Sequence, residues 1–434
     1  MGVLPANPEV GGSPHPAAAT LPSSDREAIR SGVAGLPISM LTTIQSLGQR
    51  GEGIAEADGK RVYVPFTLPG ERVEIAAEGE RGRLVEVIEA SPDRIAPFCP
   101  HFTRCGGCQL QHLAPQAYAA FKRELVATAL GRAGIATEVG ALVDARGNGR
   151  RRTTLHMRGR AAGFMGFHSH DLENLDRCPI LVPALAKAPD IARAVQAAIG
   201  DGDVAFTATL TGIDVDVKPK HRPRPERLSP LFTHLGLARL SLEGETLLMA
   251  RPPLLKVGAA TVEIPTQGFL QATEAAEDIL AQLVTSALVG TKLIADLFCG
   301  VGPFALRLAE GARLYAADSD GDAVAALAKA VRNTRGLKAV EAVRRDLFRE
   351  PLSAMELNRF DGLVFDPPRA GAEAQARDIA KSKVPVVVAV SCEPRTFARD
   401  AKILIEGGYR LESLTPVDQF AFSTHVELVG VFRR

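Results

Sequence analysis

The sequence predicts an α/β protein with a doubly wound parallel sheet that ends in an antiparallel hairpin. A small β-barrel and a mixed α+β region precede this sheet. Three observations support the prediction. From about residue 263, strand patterns of apolar residues alternate with helix patterns. The last two strand patterns have no long helix between them. Residues 37–96 contain short strand patterns separated by turns. The 434 residues are 46% hydrophobic, which is enough to fill the cores of two or three domains.

The amino-terminal part of the chain changes character near residue 37. Residues 1–36 are rich in Pro, Ala, Gly and Ser without sustained periodicity, and we expect a disordered lead-in. Residues 37–96 contain short alternating runs such as RVYVPFTL and RVEIAAE, separated by glycine-containing turns. This spacing predicts a small barrel of the oligonucleotide-binding kind. Such barrels often bind RNA, although a purely structural appendage fits the pattern equally well.

Residues 97–262 form the predicted central domain, which begins with clustered cysteines. Cys99, Cys105 and Cys108 follow a C-x5-C-x2-C spacing, and Cys178 could complete a four-thiolate set. No apolar run of membrane-spanning length and no signal peptide is evident, so we expect a cytoplasmic protein without a membrane partner. In a reducing compartment, clustered cysteines indicate a metal site rather than disulfides. Four thiolates suit either structural zinc or an iron–sulfur cluster.

The charge distribution limits how this chain could bind a nucleic acid. The net charge is only +1, so any nucleic-acid surface must be local. Two basic stretches, residues 146–160 and 218–227, could supply it, although basic stretches are usually solvated faces. The absence of Trp argues against a broad base-stacking platform.

Residues 263–434 contain a glycine loop, ADLFCGVGPFAL, between a predicted strand and a helix. Gly300 and Gly302 allow the backbone to approach a ligand, and Asp318 ends the next strand. The loop alone fits either NAD or S-adenosylmethionine. Asp296 before the loop and the Asp-Pro-Pro turn at Asp366 favour S-adenosylmethionine, because both acids face the crevice where open α/β sheets bind ligands.

Two further side chains are candidates for covalent chemistry. Cys392 follows the apolar run VPVVVAVS, and Glu427 lies in an apolar terminal strand. A helix beginning near Pro394 and nearby arginines would stabilise a thiolate. Uracil C5 becomes nucleophilic once a thiolate has added to C6, and a base must later remove the C5 proton. Cys392 and Glu427 would fill these two roles beside a methyl donor.

With these motifs the sequence resembles the RNA uracil-C5 (5-methyluridine) methyltransferases over nearly its whole length. The matching motifs are DLFCGVGPF, FDPPRAG, SCEPRTFARD and the terminal HVE, and the barrel is similar to the TRAM domain. The resemblance implies a class I methyltransferase domain, S-adenosylmethionine as donor, Cys392 as nucleophile and Glu427 as base. It further implies cofactor-binding positions at Gln271, Phe298, Asp318 and Asp366. It also implies a [4Fe–4S] cluster on Cys99, Cys105, Cys108 and Cys178.

The barrel and the cluster motif resemble the ribosomal RNA branch of the family, so we expect 23S ribosomal RNA as partner, with no protein partner implied. A transfer RNA uracil-C5 methyltransferase is the alternative. A cytosine-C5 methyltransferase would carry a cysteine beside Pro-Pro, where this chain has Arg369, and an amino-group methyltransferase would carry an aromatic residue there. A non-catalytic RNA-binding or NAD-binding protein would leave Cys392 and Glu427 unexplained.

Overall fold

The computed structural model describes residues 38–57, 59–221 and 224–434. The predicted lead-in, residues 1–36, lies outside the described residues. The chain divides into two compact units, residues 1–103 with 109–117 and residues 104–108 with 118–434.

The first unit is built on a sheet whose described strands run in the order β1-β5-β6-β4-β3-β2. Alternating apolar residues place Val62, Val64, Val73 and Ile75 in its core. The buried Glu71 carboxylate accepts hydrogen bonds from the Arg94 guanidinium and closes the turn before β5. The strands are β1 (Ile38–Thr43), β2 (Ser46–Leu47), β3 (Gly53–Ala57), β4 (Lys60–Val64), β5 (Arg72–Glu78) and β6 (Arg81–Glu89).

The second unit begins around helix α1 (Pro115–Ala133), which ends at Gly134 in a left-handed conformation, φ +77°. A mixed sheet follows, with the described order β10-β9-β8-β11-β12-β13-β14. Helix α2 packs its apolar face on this sheet. The elements are β7 (Val143–Asp144), β8 (Arg152–Arg158), β9 (Ala161–Met165), β10 (Leu172–Asn174), α2 (Ala188–Ile199), β11 (Gly202–Thr209), β12 (Gly212–Pro219), α3 (Ser229–Leu235), β13 (Arg239–Leu242) and β14 (Glu245–Met249), with short 3-10 turns at Pro183–Leu185 and Pro225–Arg227.

The carboxyl-terminal half of the second unit is the doubly wound sheet. Its described strands run in the order β19-β18-β17-β20-β21-β23-β22-β7, parallel from β19 to β21 and antiparallel at β23. The elements are β15 (Leu254–Val257), β16 (Ala260–Glu263), α4 (Glu274–Ala287), β17 (Leu293–Leu297), α5 (Ala305–Leu308), β18 (Arg313–Asp318), α6 (Gly321–Asn333), β19 (Val340–Arg344), α7 (Ala354–Leu357), β20 (Gly362–Phe365), α8 (Glu373–Lys381), β21 (Val386–Ser391), α9 (Pro394–Glu406), β22 (Arg410–Asp418) and β23 (Glu427–Arg433).

The predicted fold class is confirmed, including the antiparallel hairpin of β22 and β23. Strands β20 and β21 are buried along their whole length, because helices cover both faces of a parallel sheet. One edge differs from the prediction: β7 adds in parallel to β22, pairing Val143 with Val417. A two-residue strand carries no recognisable pattern in the sequence. Across the described ranges, no helix is both long and apolar enough to cross a membrane.

Candidate active site

The carboxyl ends of the parallel strands bring the predicted site residues to one edge of the sheet. Asp318 ends β18, Asp366 follows β20 and Cys392 follows β21. Strand β23 runs in the opposite direction, so its first residue, Glu427, lies at the same edge. Ligands of doubly wound sheets bind at this edge, where the strand order reverses next to β17. The topology therefore gathers the candidate catalytic and cofactor-binding residues in one crevice.

The glycine loop after β17 is shaped for close approach of a ligand. Phe298, Gly300 and Gly302 all have positive φ, at 62°, 52° and 89°. A Cβ at Gly302 would lie 2.4 Å from Leu327 Cδ1, whereas a Cβ at Gly300 would meet only open space. The Gly300 backbone N–H donates to Asp318 Oδ2 at 2.8 Å, which fixes the Asp318 carboxylate beneath the loop. Gly302 is therefore required for packing, and Gly300 leaves room for a bound molecule.

Buried carboxylates give the crevice its electrostatic character. Asp296 is fully buried, and within the described chain neither carboxylate oxygen has a hydrogen-bond partner. Burial, followed by the charge of Asp366, raises the pKa of Asp296 well above its usual value. Burial also raises the pKa of Asp366 to about 7, and the hydrogen bond from Gln271 acts in the opposite direction. Acids held in this way fit a cationic ligand, and the sulfonium and ammonium groups of S-adenosylmethionine provide that charge.

Cys392 and Glu427 occupy adjacent positions at the end of one strand pair. Strands β21 and β23 pair Ser391 with Leu428, so Cys392 and Glu427 are the next residues along the two strands. Burial, and then the charge of Asp366, raises the pKa of Glu427 to about 8. A carboxyl group with a pKa near neutrality is suited to take up and release a proton at physiological pH.

The effects expected to favour the Cys392 thiolate are outweighed by burial and by two carboxylates. Burial, followed by the charges of Glu427 and Asp366, raises the pKa of the Cys392 thiol to about 11, while Arg369 and a backbone hydrogen bond at Cys392 act in the opposite direction. Helix α9 is capped by Glu393, whose carboxylate accepts the Arg395 backbone N–H. A negative cap offsets the positive end of the helix dipole. Burial and the two carboxylates therefore favour the neutral form of the Cys392 thiol.

Two phenylalanines form an aromatic face beside the glycine loop. The rings of Phe298 and Phe348 have centroids 5.4 Å apart, and Phe348 is 49% exposed. Phe348 belongs to the turn after β19, where Asp346 Oδ1 accepts its backbone N–H. Sequence reasoning placed Phe298 near the cofactor but missed Phe348, whose exposure on a turn has no periodic signal.

A buried ion pair, for which the sequence carries no local signal, holds the loop between β22 and β23. Lys122 is fully buried in α1, and its Nζ lies 2.6 Å from Asp418 Oδ1. Lys122 Nζ also donates to the backbone oxygens of Phe420 (3.1 Å) and His425 (2.7 Å). The Tyr118 hydroxyl donates to Asp418 Oδ2 at 2.7 Å. These contacts order the loop that leads directly to Glu427.

The four cysteines predicted as metal ligands are Cys99, Cys105, Cys108 and Cys178. Within the described residues, no three His, Cys, Asp or Glu side chains gather closely enough to hold a metal ion. In the second unit, the Gly107 backbone N–H points to Cys105 Sγ at 3.4 Å. Burial lowers the pKa of Arg150, while Cys108 and Cys178 act in the opposite direction, so both sulfurs lie near this guanidinium.

The strand order, the glycine loop and the acidic crevice define a class I S-adenosylmethionine-dependent methyltransferase. Residues 266–434 match the family model described as tRNA (Uracil-5-)-methyltransferase. Residues 40–91 match the model for the TRAM domain of tRNA (uracil(54)-C(5))-methyltransferase.

Full-length relatives agree with the two family models. An uncharacterized RNA methyltransferase of Brucella suis is 45% identical over 403 residues, covering 90% of this chain and 97% of the relative. The 23S rRNA (uracil(1939)-C(5))-methyltransferase RlmD of Halomonas elongata is 35% identical, covering 88% and 87% of the two chains. The crystal structure of Pyrococcus abyssi tRNA (uracil-54, C5)-methyltransferase, in complex with S-adenosyl-L-homocysteine, has the same fold, with a TM-score of 0.72 at 23% identity over 91% of this chain and all of that one. The chain belongs to the TRAM-containing family of RNA uracil-C5 methyltransferases, and its methyl donor is S-adenosylmethionine.

Proposed function

We propose that this enzyme methylates C5 of a uridine in 23S ribosomal RNA, with Cys392 as nucleophile and Glu427 as base. The adjacent placement of Cys392 and Glu427 across β21 and β23, beside the acidic crevice, is the main support for these two roles. Similarity to the Halomonas elongata enzyme favours ribosomal RNA. Transfer RNA is the second candidate, because both matching family models describe transfer RNA enzymes.

The proposed reaction proceeds in three steps through these residues. The Cys392 thiol first gives up its proton to water, and the resulting thiolate adds to C6 of the uracil, so that the electron pair of the C5–C6 double bond moves toward C5 and O4 to give an enolate. C5 then attacks the methyl carbon of the donor, the carbon–sulfur bond breaks, and S-adenosylhomocysteine is the leaving group. Glu427 removes the C5 proton, and the electron pair of that bond reforms the C5–C6 double bond and expels the Cys392 thiolate.

The cofactor-binding positions in this proposal are Gln271, Phe298, Asp318 and Asp366. Phe298 with Phe348 offers an aromatic face, and Asp318 is fixed by the glycine loop. Asp366 receives the Gln271 amide N–H at 3.1 Å. Together they would hold the donor with its sulfonium toward the carboxylates, where the positive charge would lower the raised pKa values of Asp366, Glu427 and Cys392.

We further propose that Cys99, Cys105, Cys108 and Cys178 bind a [4Fe–4S] cluster with a structural or RNA-positioning role. The C-x5-C-x2-C spacing with a remote fourth cysteine supports this, as do N–H donors close to the sulfurs, such as Gly107 and Arg150. Methyl transfer is redox-neutral, so no step of the reaction needs the cluster.

The substrate assignment is tested with RNA from a strain lacking this chain. Purified enzyme and labelled S-adenosylmethionine should convert one or more uridines of the 23S RNA to 5-methyluridine, located by nuclease mapping and mass spectrometry. Transfer RNA from the same strain is the matched alternative substrate. Methylation confined to transfer RNA would exclude the ribosomal assignment, and methylation at cytidine or at an amino group would exclude uracil C5.

A further inference from the structure

The side chain of Gln419 is buried at the centre of the candidate active site. Gln419 follows β22 and is only 1% exposed. Its Oε1 accepts the Ala272 backbone N–H at 2.8 Å. Its Nε2 donates to Gln271 Oε1 at 2.7 Å and to Glu427 Oε2 at 2.5 Å. One amide group therefore contacts both the proposed base and a proposed cofactor-binding residue.

The surroundings of Gln419 allow only one orientation of its amide. Ala272 presents a donor, which only the amide oxygen can satisfy, and the other two partners present oxygens, which need the NH₂ group. The Ala272 segment is itself held in place, because Arg151 donates its backbone N–H to Ala272 O at 3.0 Å and its Nε to Gln271 O at 3.1 Å. The backbone thus fixes which face of Gln419 points toward Glu427.

The hydrogen bonds continue beyond Gln419 to the other raised carboxyl group. Gln271 accepts from Gln419 through Oε1 and donates through Nε2 to Asp366 Oδ2 at 3.1 Å. The resulting chain, Glu427–Gln419–Gln271–Asp366, joins the two acids through two amides, each of which donates to one carboxylate. A buried network of this kind is rigid when every member is satisfied.

We infer that Gln419 is a positioning residue, which orients the Glu427 carboxylate for proton removal and couples it to Gln271 in the donor site. The inference rests on the proposed role of Glu427 as base. Its physical basis is that a bonded Oε2 restricts rotation of the carboxylate, so that proton transfer needs no prior reorientation. Sequence reasoning did not single out Gln419, because its partners lie in other elements.

The donated hydrogen bond also affects the protonation of Glu427. An N–H directed at a carboxylate favours the charged form, so Gln419 lowers the pKa of Glu427 against the effects of burial and Asp366. Cys392, which Arg369 influences, also lies beside Glu427. Asp418, which is paired with Lys122, directly follows Val417, the residue that pairs with Glu427 in the sheet. Loss of the Gln419 amide should therefore move the titration of the base to higher pH.

The test compares Gln419→Met with Gln375→Met in the full-length enzyme, using 23S RNA from the strain lacking this chain. Gln375 is a matched control, because it is also 1% exposed and makes two hydrogen bonds, to the backbone N–H and oxygen of Leu352. We expect Gln419→Met to lower kcat about tenfold to hundredfold, short of the full ~10²–10⁴-fold of a lost base. The rising limb of its pH–kcat profile should shift to higher pH. Methylated RNA linked to Cys392 should accumulate and be visible on denaturing gels.

The control, Gln375→Met, should show only a lower melting temperature. Its pH–kcat profile should be unchanged, and it should accumulate no linked RNA. If Gln419→Met is too unstable to assay, the isosteric Gln419→Glu should shift the pH limb in the same direction, because it adds a carboxylate beside Glu427. A Gln419→Met enzyme that behaves like Gln375→Met would overturn the inference.

Glu427→Gln, assayed in parallel, separates the positioning role of Gln419 from the proposed role of Glu427 as base. If Glu427→Gln traps linked RNA and Gln419→Met does not, only the positioning role fails. If Glu427→Gln turns over normally, the proposed base fails and the positioning role fails with it.

Discussion

Lys122 and Asp418 form a fully buried ion pair, with 2.6 Å between Nζ and Oδ1, that joins α1 to the end of β22. Burial lowers the pKa of Lys122, and Asp418 acts in the opposite direction by pairing with its charge. Lys122 also binds the loop oxygens of Phe420 and His425. The pair therefore connects the stability of the protein to the order of the loop that ends at Glu427.

Lys122→Met should destabilise the protein by about 3–5 kcal/mol, because it leaves the Asp418 carboxylate buried without its cation. Chemical denaturation of the purified protein would measure this loss. The double variant Lys122→Met/Asp418→Asn should recover part of it, since neither charge is then left alone. Arg72→Ala, which breaks the exposed pair with Glu89, is the control and should change stability little. A Lys122→Met protein as stable as this control would contradict the assigned role.

The stability of the ligand-free protein should fall as pH rises, because of the Glu427 carboxyl group. Its pKa is raised from 4.5 to about 8, so the folded protein keeps a proton that the unfolded chain loses across this window. The contribution is fully present below pH 4.5 and is lost as pH rises toward 8. Glu427→Gln removes this pH dependence. The melting temperature of the variant should therefore rise relative to that of the wild type as the pH increases from 5 to 8. If the melting temperatures of the two proteins change with pH in the same way, the pKa of Glu427 is not raised.

The Cys392 thiol should become more acidic when Glu427 is neutralised. Its pKa of about 11 follows from burial, Glu427 and Asp366, so Glu427→Gln should speed iodoacetamide labelling of Cys392 between pH 8 and 10. Arg369→Met should slow it, because Arg369 lowers the pKa. Peptide mass spectrometry would follow Cys392 separately, with buried Cys299 as an internal control. Equal labelling rates in all three proteins would remove the electrostatic link between Glu427 and the thiol.

Anaerobically purified protein should be brown and contain about four irons per chain if the proposed cluster is complete. Cys105→Ser and Cys178→Ser should each lose most of this iron, because each removes one ligand. Cys299→Ser is the matched control, since Cys299 lies in the glycine loop, and it should retain the iron. Stoichiometric zinc in colourless protein would replace the cluster assignment with a structural zinc site.

The parts of the fold that sequence reasoning predicted are those with local signals. A few consecutive residues determine the conformation of the apolar runs that form β20 and β21. The same is true of the glycine turn at Gly300. Cys392 also lies where its apolar run predicted, directly after a buried strand. The structure adds that Glu427 lies at the same edge, because the start of an antiparallel strand meets the carboxyl ends of the parallel ones there.

The parts that were missed depend on contacts between distant segments. Lys122 is followed directly by Arg123 and Glu124 in its helix and carries no local sign of burial, and its partner Asp418 lies 296 residues away. Gln419 is separated from Gln271 by 148 residues, and its role follows only from the way the chain folds. The raised pKa of Cys392 was missed for the same reason, because it depends on carboxylates brought by β20 and β23. Charges across a sheet edge have no signature in the local sequence.

In the proposed mechanism, Cys392 forms a covalent bond to the uracil ring. RNA containing 5-fluorouridine tests it most directly, because fluorine at C5 cannot be removed by a base and the adduct cannot be resolved. Wild-type enzyme with S-adenosylmethionine should form a denaturation-resistant RNA–protein band, and tryptic mapping should place the link at Cys392. Cys392→Ala should form no band and no product, while S-adenosylmethionine affinity stays close to that of the wild type. A Cys392→Ala enzyme that still forms the band, or methylates normal RNA at near wild-type rates, would contradict the covalent mechanism.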